Sequence, residues 1–112
     1  MPGEPSHFEV GVRDARRAKT FYGELLGWSF PTTSGDNAWI ETSGVRGGLH
    51  GEDEASNIVV YFSVPDIDVA VRRVRELGGE ADEPGPPEES GRYAACRDDQ
   101  GVVFGLHQPP AA

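Results

Sequence analysis

At 112 residues the chain has the length of one compact domain. A formal net charge of -9 at pH 7 and an isoelectric point near 4.6 argue against a nucleic-acid partner, which is held through surplus lysine and arginine, and leave neutral or cationic small molecules. The single cysteine, Cys96, excludes an intramolecular disulfide and a thiolate cluster for zinc or iron–sulfur, so a reducing, cytoplasmic setting is expected. The first residues lack the basic and apolar regions of a secretory leader, and no apolar run is long enough to cross a bilayer, so no membrane association is expected.

From His7 to Val12, apolar Phe8, Val10 and Val12 alternate with His7, Glu9 and Gly11, the period of a strand with one apolar and one mixed face. Asp14 then suits a helix N-cap, Ala18, Phe21, Tyr22, Leu25 and Leu26 recur at helical spacing, and Gly27 supplies the stop. Trp28 to Phe30 and Ala38 to Thr42 read as strands separated by a turn-rich loop from Pro31 to Asn37. Val45 to His50 closes the first module, with Gly47 and Gly48 permitting close backbone approach or a bulge. The acidic stretch from Gly51 to Asn57 reads as an exposed linker.

The second module starts with a strand from Ile58 to Val64, and Pro65 and Asp66 open a helix with Ile67, Ala70, Val71, Val74 and Leu77 as its apolar stripe. Gly78 and Gly79 end that helix. A short strand at Glu80 to Asp82 precedes a proline-rich loop from Glu83 to Gly91, and strands at Tyr93 to Arg97 and Val102 to His107 complete the chain. The basic residues of the two helices, Arg13, Arg16, Arg17 and Lys19, then Arg72, Arg73 and Arg75, read as solvated faces.

The second module repeats the first. One constant offset lays Val59 to Glu80 over His7 to Trp28, matching Val12 with Val64, Asp14 with Asp66, Ala18 with Ala70, Glu24 with Glu76, Leu25 with Leu77 and Gly27 with Gly79. The expected fold is therefore α+β: two βαβββ modules (about residues 6–50 and 58–108, linker 51–57) within a single domain. They would form a paired half-barrel cup with the helices outside. Side chains opposite the helix-facing set would line the cup. These are His7, Glu9 and Gly11 in the first module and Val59, Tyr61 and Ser63 in the second. Matching Gly48-Leu49-His50 with Gly105-Leu106-His107 turns His50 and His107 inward, and the middle strands add Trp39, Glu41, Tyr93 and Arg97. His7, Glu9 and His50 are the candidate acid–base set; Trp39, Glu41, Tyr61, Tyr93, Arg97 and His107 are candidate ligand contacts. Cys96 shares the parity of Ala94, which turns it toward the helices as an inert thiol.

These residues resemble the glyoxalase, bleomycin-resistance and extradiol-dioxygenase superfamily, also called the vicinal oxygen chelate superfamily, and look most like its short actinobacterial glyoxalase-like proteins. The segments that carry the resemblance are His7 to Val10, Asp14, Phe21 to Trp28, Gly47 to Leu49, Pro65 to Asp68, Glu76 to Gly79 and Asp98 to Gln108. The resemblance implies a divalent ion held by a histidine on the first strand of one module, an equivalent residue on that of the other, and a glutamate on a last strand. His7 fills the first position, but Val59 and Gly105 stand at the other two and cannot coordinate. No cofactor is therefore expected, and the reading is a small-molecule binding protein of the glyoxalase and bleomycin-resistance type without the usual family metal. Two alternatives stay open. One is a divalent-metal-dependent lyase, isomerase or dioxygenase with ligands displaced to His7, His50, His107, Glu9 or Glu41; the other is a metal-free acid–base isomerase. A homodimer is expected from the same resemblance.

Overall fold

The computed structural model describes residues 3–34 and 37–110; of the loop expected from Pro31 to Asn37, Gly35 and Asp36 lie outside the described residues. The fold is α+β with a mixed, open sheet arrangement, and the chain divides into two compact units, His7–Val59 and Met1–Ser6 with Val60–Ala112.

In the first unit, strand β1 (Pro5–Gly11, which begins in the other unit) keeps the expected alternation: Val10 is buried in the core and Glu9 lies on the opposite face. Helix α1 (Ala15–Leu26) opens on Asp14, whose carboxylate accepts the Arg17 N–H at 3.1 Å, and closes on Gly27 in the left-handed region, φ 73°. Strands β2 (Thr32–Ser34), β3 (Asn37–Ile40) and β4 (Gly47–His50) follow, and the sheet order is β2-β3-β4-β1, with β4 parallel to β1 and antiparallel to β3. Val10, Ala15, Ala18, Ala38, Ile40 and Leu49 form the core, flanked by Phe8, Val12, Tyr22, Trp28 and Phe30.

Two expectations are corrected here. Trp28 to Phe30 is not a strand; only Ser29 makes an isolated bridge, to Glu41, and the strand lies at Thr32–Ser34, inside the expected loop. The cause is packing: the Trp28 ring stacks on Tyr22 at 5.1 Å and leans on Phe8 at 5.4 Å, so the segment serves as an aromatic corner. The apolar stripe of α1 also runs differently. The buried positions are Ala15 and Ala18, whereas Phe21, Leu25 and Leu26 are more than half exposed.

The second unit repeats the plan with strands β5 (Asn57–Ser63), β6 (Glu80–Ala81), β7 (Arg92–Arg97) and β8 (Val103–Gln108) around helix α2 (Ile67–Glu76), in the order β5-β8-β7-β6. Asp66 caps α2 by accepting the Asp68 and Val69 N–H groups, and the Gln108 side-chain oxygen accepts the Ile67 N–H at 2.8 Å. Ile67, Val71, Ala94, Cys96 and Leu106 form its core; Leu77, expected in the stripe, is exposed at the helix end. Burial, with the Asp82 carboxylate second, pushes the Cys96 thiol up to about 11. The proline-rich loop is tied down: Arg75 bonds Ala81 O and Glu83, and Arg92 bonds Gly85 O and Asp68.

Candidate functional site

On the first unit's polar face the registers Glu9↔Gly48 and Trp39↔Gly48 set three strands abreast around a residue without a side chain. Glu9 uses that vacancy. A Cβ on Gly48 would lie 2.6 Å from the Glu9 carboxylate, which lies over the glycine and from there hydrogen-bonds the buried His7 ring through Nε2 and Oε2. The two residues stand two apart on one strand, so their side chains share a face, and the longer glutamate covers the separation. Its other oxygen, Oε1, lies 3.7 Å from His50 Nε2, and His50 Nδ1 lies 3.3 Å from Asp53 Oδ2. Gly11 makes room for that end, because a Cβ there would collide with the Asp53 carboxylate and the His50 ring. The result is a chain of alternating imidazoles and carboxylates, His7, Glu9, His50 and Asp53, running from a buried ring to a part-exposed acid.

Trp39 completes the face, its ring edge-on to His7 with centroids 6.5 Å apart, and the Arg46 guanidinium lies 3.9 Å above the indole. Asp53 and Arg46 were not among the sequence candidates. Asp53 sits in the expected linker, which curls back through left-handed Glu52 and Ser56, φ 55° and 48°, and through Asp53 N–H to Val12 O. Its spacing three residues after His50 was the available signal. Arg46 was legible only by parity with Gly48 and His50 on the closing strand.

The second unit uses the equivalent positions otherwise. His107 is buried, its Nε2–H donates to Ser90 O at 2.7 Å, and its Nδ1 accepts from the Ser6 hydroxyl at 2.8 Å. Tyr93 stacks on the His107 ring at 4.7 Å, and Tyr61 meets Tyr93 edge-on at 5.7 Å. Both imidazole nitrogens thus hold protein groups, and His107, Tyr93 and Tyr61 form an aromatic lock. Arg97 shares the face of Tyr93 but lies at the far end of β7, bonding Gly101 O, and so does not join the lock. Glu41 is exposed beyond the end of β3, where its backbone bridges Ser29; the structure does not bring it into the His7–Glu9 chain.

Residues 5–106 match the Glyoxalase/Bleomycin resistance protein/Dioxygenase superfamily. The chain belongs to that superfamily. Solved structures agree at the level of fold. The methylmalonyl-CoA epimerase from Mycobacterium tuberculosis superposes with a TM-score of 0.72 at 21% identity, covering 96% of this chain and 89% of that one. A Streptomyces coelicolor methylmalonyl-CoA epimerase in complex with 2-nitronate-propionyl-CoA gives 0.73 at 17% identity, covering 100% and 98%. A superfamily member from Vibrio splendidus 12B01 gives 0.68 at 19% identity, covering 90% and 95%. No curated protein matches the chain.

The superfamily positions do not fit the superfamily metal. His7 Nε2 is engaged by Glu9, Val59 is aliphatic, and the space a glutamate would need at Gly105 is filled by the Tyr61 ring, with which even a Cβ would collide. Glu9 over Gly48 in one unit and Tyr61 over Gly105 in the other are the same local arrangement, a first-strand side chain lying over a last-strand glycine. Nor do displaced ligands assemble: among the described residues no group of three or more His, Cys, Asp or Glu could hold a metal ion. Each contact pairs an imidazole nitrogen with a carboxylate oxygen, His7 with Glu9 and His50 with Glu9 and Asp53.

Proposed function

We propose that this superfamily member is a small-molecule binding protein whose polar anchor is Glu9 between His7 and His50, working without a metal at the family positions. The observation that carries this reading is the fixed Glu9 carboxylate: His7 holds one oxygen from the buried side, and the other lies toward a half-exposed His50. A ligand polar group entering beside His50 would exchange the long Glu9–His50 contact for a shorter one and lie against Trp39, the combination of apolar wall and few polar groups that small-molecule sites use. Pairing into homodimers, expected from the family resemblance, is part of the proposal.

Metal content is the direct test. Protein purified without chelators should carry no stoichiometric zinc, iron, nickel or manganese by elemental analysis; a stoichiometric ion that disappears in His7→Ala would overturn the reading in favour of a metal-dependent lyase, isomerase or dioxygenase.

A metal-free isomerase is the second reading, favoured by the unbroken contacts from His7 to Asp53. In it Glu9 accepts a proton from carbon next to a carbonyl and the His50 side returns one. Solvent deuterium entering an acyl thioester at that carbon in the metal-stripped protein, and not in Glu9→Gln, would replace simple binding with this reading; no exchange leaves binding alone.

A further inference from the structure

Arg46 is exposed, and its guanidinium carbon lies 3.9 Å from the centroid of the Trp39 ring. Among the described residues it makes no hydrogen bond or ion pair. Glu41 comes next to it if the Ile40↔Gly47 register is continued by one residue, yet no ion pair joins them. A cation–π contact uses none of the guanidinium N–H groups as hydrogen bonds to oxygen, and their fork matches the oxygens of a carboxylate or phosphate. Two other acids of this unit are in the opposite condition. Glu9 is engaged by His7, and Asp53 faces His50. Among the described residues Arg46 and Glu41 are thus the two charges here without an ion-pair partner, and of the two it is Arg46 that lies over Trp39 beside the His7–Glu9 chain, although the whole chain carries -9.

We infer that Arg46 is a specificity-determining residue that takes the carboxylate or phosphate of a small organic anion, the rest of which reaches across Trp39 toward Glu9 and His50. This narrows the proposed function and rests on it. It also reverses the preference for neutral or cationic ligands that the net charge suggests, because local pairing and not total charge decides which group is available to a ligand.

The test is titration of the Trp39 indole N–H signal in a proton–nitrogen NMR spectrum, assigned against Trp28→Phe, at low constant ionic strength. Malonate and inorganic phosphate are the anionic probes, malonamide the uncharged analogue of malonate, and choline the cationic probe. A saturable shift with malonate or phosphate is expected in the wild type, weakened at least tenfold in Arg46→Gln, with Arg46→Lys in between and with malonamide and choline silent. The stronger of the two anions identifies which oxyanion the site takes. Equal anion affinity in wild type and Arg46→Gln overturns the inference, as does a response to choline or malonamide alone, or no response to either anion. The two proposals fail separately. Ligands whose binding is lost in Glu9→Gln but not in Arg46→Gln would leave the Glu9 reading standing without this one; malonate binding that needs Arg46 and ignores Glu9→Gln would do the reverse.

Discussion

Glu9 and Asp53 reach their histidines because Gly48 and Gly11 have no side chains, so two glycines shape this face as much as the polar residues do. The strand period made His7, Glu9 and His50 legible as one face, since alternation needs only local sequence. Asp53 was not legible, because its position depends on two left-handed residues in a stretch whose composition reads as a plain linker. For His107 the parity was legible, but parity cannot reveal that Ser6 and Ser90 occupy both ring nitrogens. Asp98 supplies a residue-scale prediction. Hydrogen bonds from the Val102 and Gln100 N–H groups hold its carboxyl below the usual carboxylate range in the β7–β8 turn. A depressed folded value gives stability that is present above the unfolded value, about 3.9, and lost as pH falls through the folded one. Urea midpoints between pH 5 and pH 2 should therefore fall less steeply in Asp98→Asn than in the wild type; parallel curves would count against this role.

At the scale of elements, both helix starts were readable from Asp14 and Asp66, whose side chains cap as local sequence requires. Of the expected α1 stripe Ala18 and Tyr22 face the core, but helical spacing permits two adjacent apolar faces, and only the position of the sheet adds Ala15 and leaves Phe21, Leu25 and Leu26 outside. The short strand at Thr32–Ser34 was hidden by turn-forming residues. The tight parallel pairing of β5 with β8 carries a prediction. A glutamate placed at Gly105 is driven into Tyr61, and such overpacking typically costs about 1–3 kcal/mol. Gly105→Glu should melt well below the wild type, and adding Tyr61→Ala should recover part of the loss; an unchanged melting temperature for the single variant would show that the Tyr61 ring is not held there.

Across the whole molecule, the repeat made the architecture readable: two βαβββ modules follow from one constant offset, and the superfamily match over residues 5–106 agrees. Repeated modules need not keep repeated chemistry. Equivalent strands carry an imidazole–carboxylate chain in one unit and an aromatic lock in the other, a difference set by Glu9 against Tyr61 and His7 against Val59. Among the described residues no helix is long and apolar enough to cross a membrane. The most direct test of a metal-independent ligand site at Glu9 is a thermal-shift screen of small metabolites with chelator present, run on wild type and Glu9→Gln. A ligand at a hundredfold excess over its Kd adds about 2.7 kcal/mol, on the order of 10 °C for a domain of this size. Compounds that raise the wild-type melting temperature in chelator and lose most of that shift in Glu9→Gln are the predicted result; shifts that persist unchanged in Glu9→Gln, or that occur only when the chelator is left out, would contradict it.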